Sequence, residues 1–305
     1  MIKIESLVKY YNEFKALDNI SFEINQGDIV GLLGPNGAGK TTTMRIITGY
    51  LSYDSGEVKI GDLDPQDKPL EVKKIIGYLP ENPLLYDEMT VFEFLKFICE
   101  LKNVKEVNKE IERVIEITKI GDKKNQIIGT LSKGYKQRVG LSSALISDPP
   151  ILILDEPTSG LDPNQIIEIR DVIKKMRKSK TIILSTHILP EVEEVCNKVI
   201  LIDKGTVKAI DSIEGIKNIS QGRPSIIIKC DDNNKLKNVL SKIDYITEIE
   251  EKESEIEVFI KNESYKKELL ETLVANKTGV YEFYSPKISL EDVFHRLTIK
   301  EGDNE

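Results

Sequence analysis

Apolar and polar positions along the chain fall into two rhythms, and their alternation outlines a fold. MIKIESLVKYY (1–11) and LDNISFEI (17–24) alternate with a period of two, which predicts strands with one buried face. VKIGDL (58–63) reads the same way. IVGLL (29–33), ILIL (151–154), TIIL (181–184) and KVILI (198–202) are instead almost continuously apolar. Short runs of that kind, separated by helical stretches, predict buried parallel strands. Those stretches are TTTMRIITGYL (41–51), NQIIEIRDVIKKM (164–176) and PEVEEVC (190–196).

Residues 82–130 change character. Thr90 with Glu93 three positions on forms a capping box, and Val91, Phe94, Leu95 and Ile98 follow at helical spacing. A second helix, roughly 106–119, carries Ile111, Val114 and Ile115 on one face. This predicts a helical block, about 82–145, inside an α/β domain spanning 1–215. The stretch 211–224 (DSIEGIKNISQGRP) reads as a linker, with 216–224 as its centre. Beyond it, SIIIKC, IDYITEIE, EIEVFIK and VYEFY predict strands, with helices near 234–242, 264–276 and 290–298. Residues 225–305 therefore read as a small α+β domain of split-βαβ type.

Composition narrows the possibilities. No apolar run approaches the ~18 residues of a membrane span, and the N-terminus lacks a signal-peptide core. Three cysteines, Cys99, Cys196 and Cys230, stand far apart without CxxC spacing, which fits reduced thiols in a cytosol. A net charge of −8 argues against nucleic acid as a main partner. The acidic run EIEEKESEIE (248–257) reads as a solvated turn and strand edge.

The chemistry begins at GPNGAGKT, Gly34, Pro35, Asn36, Gly37, Ala38, Gly39, Lys40 and Thr41, followed by Thr42. It matches G-x-x-x-x-G-K-[ST], with an apolar strand before it and a helix after it. Glycines let successive N–H groups point into one concavity, and the helix N-terminus adds to the field that holds phosphate oxygens. Lys40 can reach the β- and γ-phosphates, and the Thr41 hydroxyl can ligate Mg²⁺. ILILDEP (151–157) buries a strand and delivers Asp155 and Glu156 at its C-terminal end. There Asp155 can hold Mg²⁺, commonly through water, and Glu156 can orient or deprotonate an attacking water. His187, one of two histidines in the chain, follows the strand TIIL.

These elements, with LSKGYKQRVG (131–140) between them, resemble the nucleotide-binding subunit of ATP-binding cassette (ABC) transporters across residues 1 to about 215. The resemblance implies a phosphate-loop NTPase cassette with an N-terminal antiparallel β subdomain and a helical insert. It also implies an ATPase using ATP and Mg²⁺. Tyr11, in VKYYNEFKAL, looks like the aromatic that stacks on adenine, with its neighbour Tyr10 as the alternative. Stacking on a π-face reads the base loosely, so modest ATP/GTP discrimination is expected. His187 looks like the switch histidine that contacts the γ-phosphate. SGLDP (159–163) resembles the loop that crosses the dimer interface, with Asp162 as its acidic member.

In this family two subunits, a second copy or a homologous cassette, sandwich ATP head to tail. Each nucleotide then lies between one phosphate loop and the partner's Leu-Ser-x-Gly motif, here Ser132 and Gly134. Lys133 and Tyr135 depart from the common Leu-Ser-Gly-Gly-Gln. IGYLPEN (76–82) departs too: Glu81 stands where a glutamine usually contacts Mg²⁺ and water. A carboxylate is a good Mg²⁺ ligand, yet it repels the γ-phosphate when the metal is absent. YLPE, LSKGYKQR and the appended domain resemble the exporters with separate six-helix permeases, the ABC-2 class, including gliding-motility-associated and drug-resistance subunits.

The expected partner is therefore a polytopic membrane permease, with the chain cytoplasmic and peripheral on the inner face of the membrane. Its docking surface is expected at the helical block and the Glu81 segment. ISLEDVFHRLT (288–298) resembles the closing segment of such ATPases, with Leu290, Val293, Phe294 and Leu297 on one helical face and His295 off it. A cassette ATPase acting on nucleic acid or ribosomes would carry two cassettes, a coiled-coil insert or basic extensions. A generic phosphate-loop kinase would lack the Leu131–Gly134 motif and the histidine strand end.

Overall fold

The alternating N-terminal runs pair with one another, and the continuously apolar runs bury themselves in a separate sheet. The computed structural model describes residues 2–177, 179–219, 224–252 and 255–286. The chain divides into two units, Met1–Ile216 and Lys217–Glu305.

In the first unit, β1 (Ile2–Tyr11), β2 (Phe14–Ile24) and, after β3 (Ile29–Leu33) and α1 (Lys40–Ile47), β4 (Ser55–Ile60) form an antiparallel sheet ordered β2-β1-β4. Alternation works as expected: Ile2, Ile4, Leu7, Ile20, Phe22 and Ile24 are buried. The chain then runs through α2 (Pro69–Ile75) into β5 (Ile76–Leu79). Next come α3 (Val91–Leu101), α4 (Val107–Thr118) and α5 (Lys133–Leu145). Thr90 and Glu93 make the reciprocal capping box at the start of α3, and Ile111, Val114 and Ile115 form the buried face of α4.

The second half of the unit alternates β6 (Ile151–Asp155), α6 (Pro163–Met176), β7 (Thr181–Ser185), α7 (Leu189–Val195), β8 (Lys198–Asp203) and β9 (Thr206–Ser212). The six-stranded sheet has the order β5-β6-β7-β3-β8-β9. All its pairs are parallel except β8 with β9. Every residue of β3, β6 and β7 is buried, which is why those segments are apolar throughout. Because β3 lies between β7 and β8, the chain leaves it at a point where the strand order switches direction. Ligands bind at such points, beyond the carboxyl ends of the strands.

The stretch read from sequence as a linker holds more structure than its composition suggests. Residues 206–212 complete β9, and α8 (Ile213–Ile219) follows. The Ser212 hydroxyl accepts from the Gly215 N–H, and Ile216 is fully buried. Ile213, Ile216 and Ile219 recur every three residues, but seven residues broken by Gly215 are too few for that period to stand out among polar neighbours.

The second unit contains β10 (Ser225–Cys230), α9 (Asn233–Leu240), β11 (Ile246–Lys252), β12 (Glu255–Ile260), α10 (Tyr265–Ala275) and β13 (Val280–Tyr284). Its antiparallel sheet has the order β11-β12-β10-β13, the split-βαβ arrangement. Ile226, Ile228, Ile256, Val258 and Ile260 pack with Leu236, Leu240, Leu269 and Leu273 of the two helices. The segment 288–298, with Leu290, Val293, Phe294, His295 and Leu297, lies outside the described residues.

Candidate functional site

The glycine-rich turn after β3 curls because its backbone tolerates what a side chain would forbid. A Cβ on Gly34 would lie 2.2 Å from the Ile202 carbonyl oxygen, and Gly39 takes φ +109° at the mouth of α1. The result is a cradle of N–H groups at the start of a helix of eight residues. Lys40, the first residue of α1, is 7% exposed and folds back over the loop. Its Nζ donates to the carbonyl oxygens of Gly34 (2.7 Å) and Pro35 (3.1 Å). Burial pulls the Lys40 ammonium below the ordinary lysine range, against the opposing pull of the carboxylates of Glu156, Asp155 and Glu81.

Those carboxylates converge from two other strand ends. Asp155 closes β6 and is buried; it accepts from the Ser185 hydroxyl at the end of β7. The same hydroxyl accepts from the Glu156 N–H at 3.0 Å, so one serine fixes both acidic residues. Glu156 has φ +47°, a left-handed conformation that turns its side chain away from the strand line. Its Oε2 lies 2.9 Å from Nδ1 of His187, whose side chain is 60% exposed. Burial raises the Glu156 carboxyl above its ordinary value, while His187 and Lys40 work against that rise and Asp155 adds to it.

One cleft of about 350 Å³ collects Tyr11, Asn36, Gly37, Ala38, Gly39, Lys40, Thr41, Thr42, Glu81, Asp155, Glu156 and His187. Tyr10 does not line it. Tyr11 and Phe14 are cross-strand partners at the tip of the β1–β2 hairpin, and Phe14 also lines the cleft. Phe14 and Ala16 were not singled out from the sequence. Phe14 stands in an alternating segment, and only the hairpin register shows that it shares a wall with Tyr11. A wall of exposed aromatics leading to an N–H cradle suits a base joined to a chain of phosphates.

Thr41, Glu81 and Asp155 bring a hydroxyl and two carboxylates to the phosphate end of this cleft. Oxygen ligands of that kind, few in number, fit Mg²⁺, which keeps part of its water shell and shares phosphate oxygens. Among the described residues no three His, Cys, Asp or Glu side chains gather as a metal cage, so a cation here would need the substrate's oxygens.

Ser132, Gly134 and Asp162 do not line this cleft. Ser132 caps α5, its hydroxyl accepting from the Tyr135 N–H, and leaves its own side chain exposed. A Cβ on Gly134 would meet the Gln165 side chain at 2.3 Å, so glycine permits the close approach of α5 to α6. Asp162 caps α6 by accepting from the Gln165 N–H at 3.0 Å. The exposed start of α5 carries Lys133 and no acidic residue in its first turn.

A second groove, of about 500 Å³, lies between the segment after β5 and the helical block. Tyr50, Tyr78, Pro83, Leu84 and Phe94 line it, with Arg45 at its edge, and Leu84 is 91% exposed. No helix among the described residues is long and apolar enough to cross a membrane.

Comparison with known proteins gives matches of the same kind along the whole chain. The family model described as ABC transporter matches residues 17–159. The model described as the C-terminal domain of DrrA1-3-like ATP-binding proteins matches residues 193–298. YxlF of Bacillus subtilis, an ABC transporter ATP-binding protein, is 34% identical over 300 residues, covering 97% of this chain and 99% of its own. The bacitracin transport ATP-binding protein BcrA of Bacillus licheniformis is 32% identical over 299 residues, covering 97% of each. Among solved structures, the dimeric post-hydrolysis cassette MJ0796 bound to ADP and phosphate superimposes with a TM-score of 0.65. It is 25% identical and covers 70% of this chain and 98% of its own.

Proposed function

Because the chain belongs to the ATP-binding subunits of ABC transporters, we propose that it hydrolyses ATP between two head-to-tail cassettes to drive export through a separate membrane permease. The observation that carries this reading is the convergence of Lys40, Asp155, Glu156 and His187 from three strand ends into one cleft. The C-terminal domain and the bacterial relatives fit the ABC-2 exporter type.

In this reading adenine stacks on Tyr11 and the triphosphate lies in the Gly34–Thr42 loop. Lys40 exchanges its bonds to the loop's own carbonyls for the β- and γ-phosphate oxygens. Thr41, Asp155 and Glu81 would hold Mg²⁺, which would supply positive charge against the terminal phosphates. Glu156 orients the attacking water, and its raised affinity for a proton suits it to take one. His187 turns from Glu156 toward the γ-phosphate, which leaves the carboxylate free for that water.

The partner copy supplies Ser132, the N–H groups around Gly134 and the N-terminus of α5 to the other face of the nucleotide. Lys133 adds a positive charge there, and Asp162 stands at the crossing of the two subunits. ATP favours the closed pair because each nucleotide gains the second set of contacts only in that state. Loss of the γ-phosphate removes those contacts and lets the pair open.

The groove beside the Glu81 segment is the docking surface for the permease, which places the subunit on the inner face of the membrane. Leu84 is exposed within a groove also lined by Tyr50, Tyr78 and Pro83, and a contiguous apolar patch of that kind marks an interaction surface. Co-purification from membranes with a polytopic protein tests this, with Leu84→Glu as the control. The variant should lose the membrane partner and keep the ATPase activity of the isolated chain. Sedimentation with ribosomes, or membrane association unaffected by Leu84→Glu, would contradict the assignment.

A further inference from the structure

Glu191 lies on α7, outside the phosphate cleft, and is 1% exposed. A buried carboxylate is costly unless hydrogen bonds and opposite charge hold it. Its Oε2 accepts from the Thr158 hydroxyl at 2.9 Å and from the Thr186 hydroxyl at 3.0 Å. Its Oε1 lies 3.4 Å from Nη2 of Arg170 on α6, whose guanidinium also pairs with Glu194.

The two threonines are not arbitrary neighbours. Thr158 stands two residues beyond Glu156, where the chain leaves β6 toward Ser159–Asp162. Thr186 immediately precedes His187 beyond β7. A carboxylate can only accept, so both hydroxyls must donate to it, and their rotors are fixed. The Thr186 oxygen is then free to accept from the Ile188 N–H, which it does at 3.0 Å. One carboxylate oxygen therefore ties together the loops that carry the two halves of the Glu156–His187 pair.

We propose that Glu191 is a positioning residue for hydrolysis, clamping Thr158 to Thr186 so that Glu156 and His187 keep their mutual spacing. The inference rests on the reading of Glu156 and His187 given above. The clamp also joins His187 to the 158–162 segment that ends at Asp162. A shift of the histidine toward phosphate is then felt at the subunit boundary. Arg170, 3.4 Å from the other carboxylate oxygen, ties the clamp to α6 as well.

Paired substitutions separate this role from packing. Thr158→Val and Thr186→Val remove a hydroxyl at nearly constant shape, whereas Thr→Ser at either position keeps the hydroxyl and removes a methyl. Each valine variant is expected to lower kcat about tenfold or more, since small misplacements of reacting groups are costly. ATP affinity should stay within about twofold, and each serine variant should restore near-normal turnover. Adding either valine to Glu191→Gln should cost less than it does alone, because the shared partner is already weakened. Where a valine variant does not fold, Glu191→Gln alone carries the same split of kcat from affinity. Valine variants with normal kcat, or serine variants as impaired as the valines, would overturn the clamp. An unmodified protein without ATPase activity would overturn the reading of Glu156 and His187, and the clamp with it.

Discussion

At Glu81 the sequence offers a carboxylate where the amide of a glutamine would carry no charge. The side chain lines the phosphate end of the cleft with Asp155 and Glu156, so three carboxylates surround one ammonium, that of Lys40. Such a set binds anionic phosphate poorly unless a cation intervenes. Glu81→Gln removes one negative charge and one good oxygen ligand together. The expected outcome is hydrolysis that needs a severalfold higher Mg²⁺ concentration for half-maximal rate; an unchanged Mg²⁺ dependence would remove Glu81 from the metal's surroundings.

Residues such as Lys40, Asp155 and Glu156 were legible because each follows an apolar strand, and chemistry gathers at strand ends. Thr158, Glu191 and Thr186 were not. Glu191 belongs to PEVEEVC, where it reads as one more charge on a solvated helix face. Only the packing of α7 against the two loops buries it.

Among the elements, α4 shows how a charged pair anchors a helix to its surroundings. Glu110 accepts from Nε and Nη2 of Arg113, and from the Ser147 N–H at 2.7 Å, while Arg113 also donates to the Leu145 carbonyl. The pair thus ties α4 to the end of α5. The Arg113 hydrogen bond holds the Glu110 carboxyl below its ordinary 4.5, burial opposing. A carboxyl depressed by folding contributes stability that is fully present above 4.5 and is lost as the pH falls through its lower folded value. Glu110→Gln should therefore lower Tm near neutrality, and its deficit against the unmodified protein should shrink as pH falls below 4.5. A deficit independent of pH would assign the effect to packing alone.

Element by element, legibility followed the length of the pattern. The long periodic helices α3, α4 and α6 and the apolar strands β3, β6, β7 and β8 stand where the sequence puts them. The short helix α2 buries Val72 alone, and β5 is four residues long. Neither is long enough for a period to emerge. β9 was hidden because its residues are only half-buried and its pairing partner is decided by the sheet.

At the scale of the whole molecule, the site as built from one chain is unfinished. The cleft holds the glycine-rich loop with Lys40, the Thr41 hydroxyl, three carboxylates and a histidine. Ser132 and the start of α5 that it caps stand outside it, with an exposed lysine and no acidic side chain in the first turn. In the proposed pair of opposed copies, each would complete the other's site. The similarity to a dimeric cassette holding ADP and phosphate is in keeping with that arrangement.

The central claim is that ATP itself joins two copies and that Glu156 releases them through hydrolysis. Glu156→Gln keeps the shape of the side chain and its place beside His187 while removing the base. The decisive measurement is gel filtration of this variant with ATP and Mg²⁺, beside the same variant without nucleotide. A stable dimer that appears only with ATP, together with lost turnover and retained nucleotide binding, is the expected result. A variant that remains monomeric with bound ATP, or that hydrolyses it at the normal rate, would contradict the account.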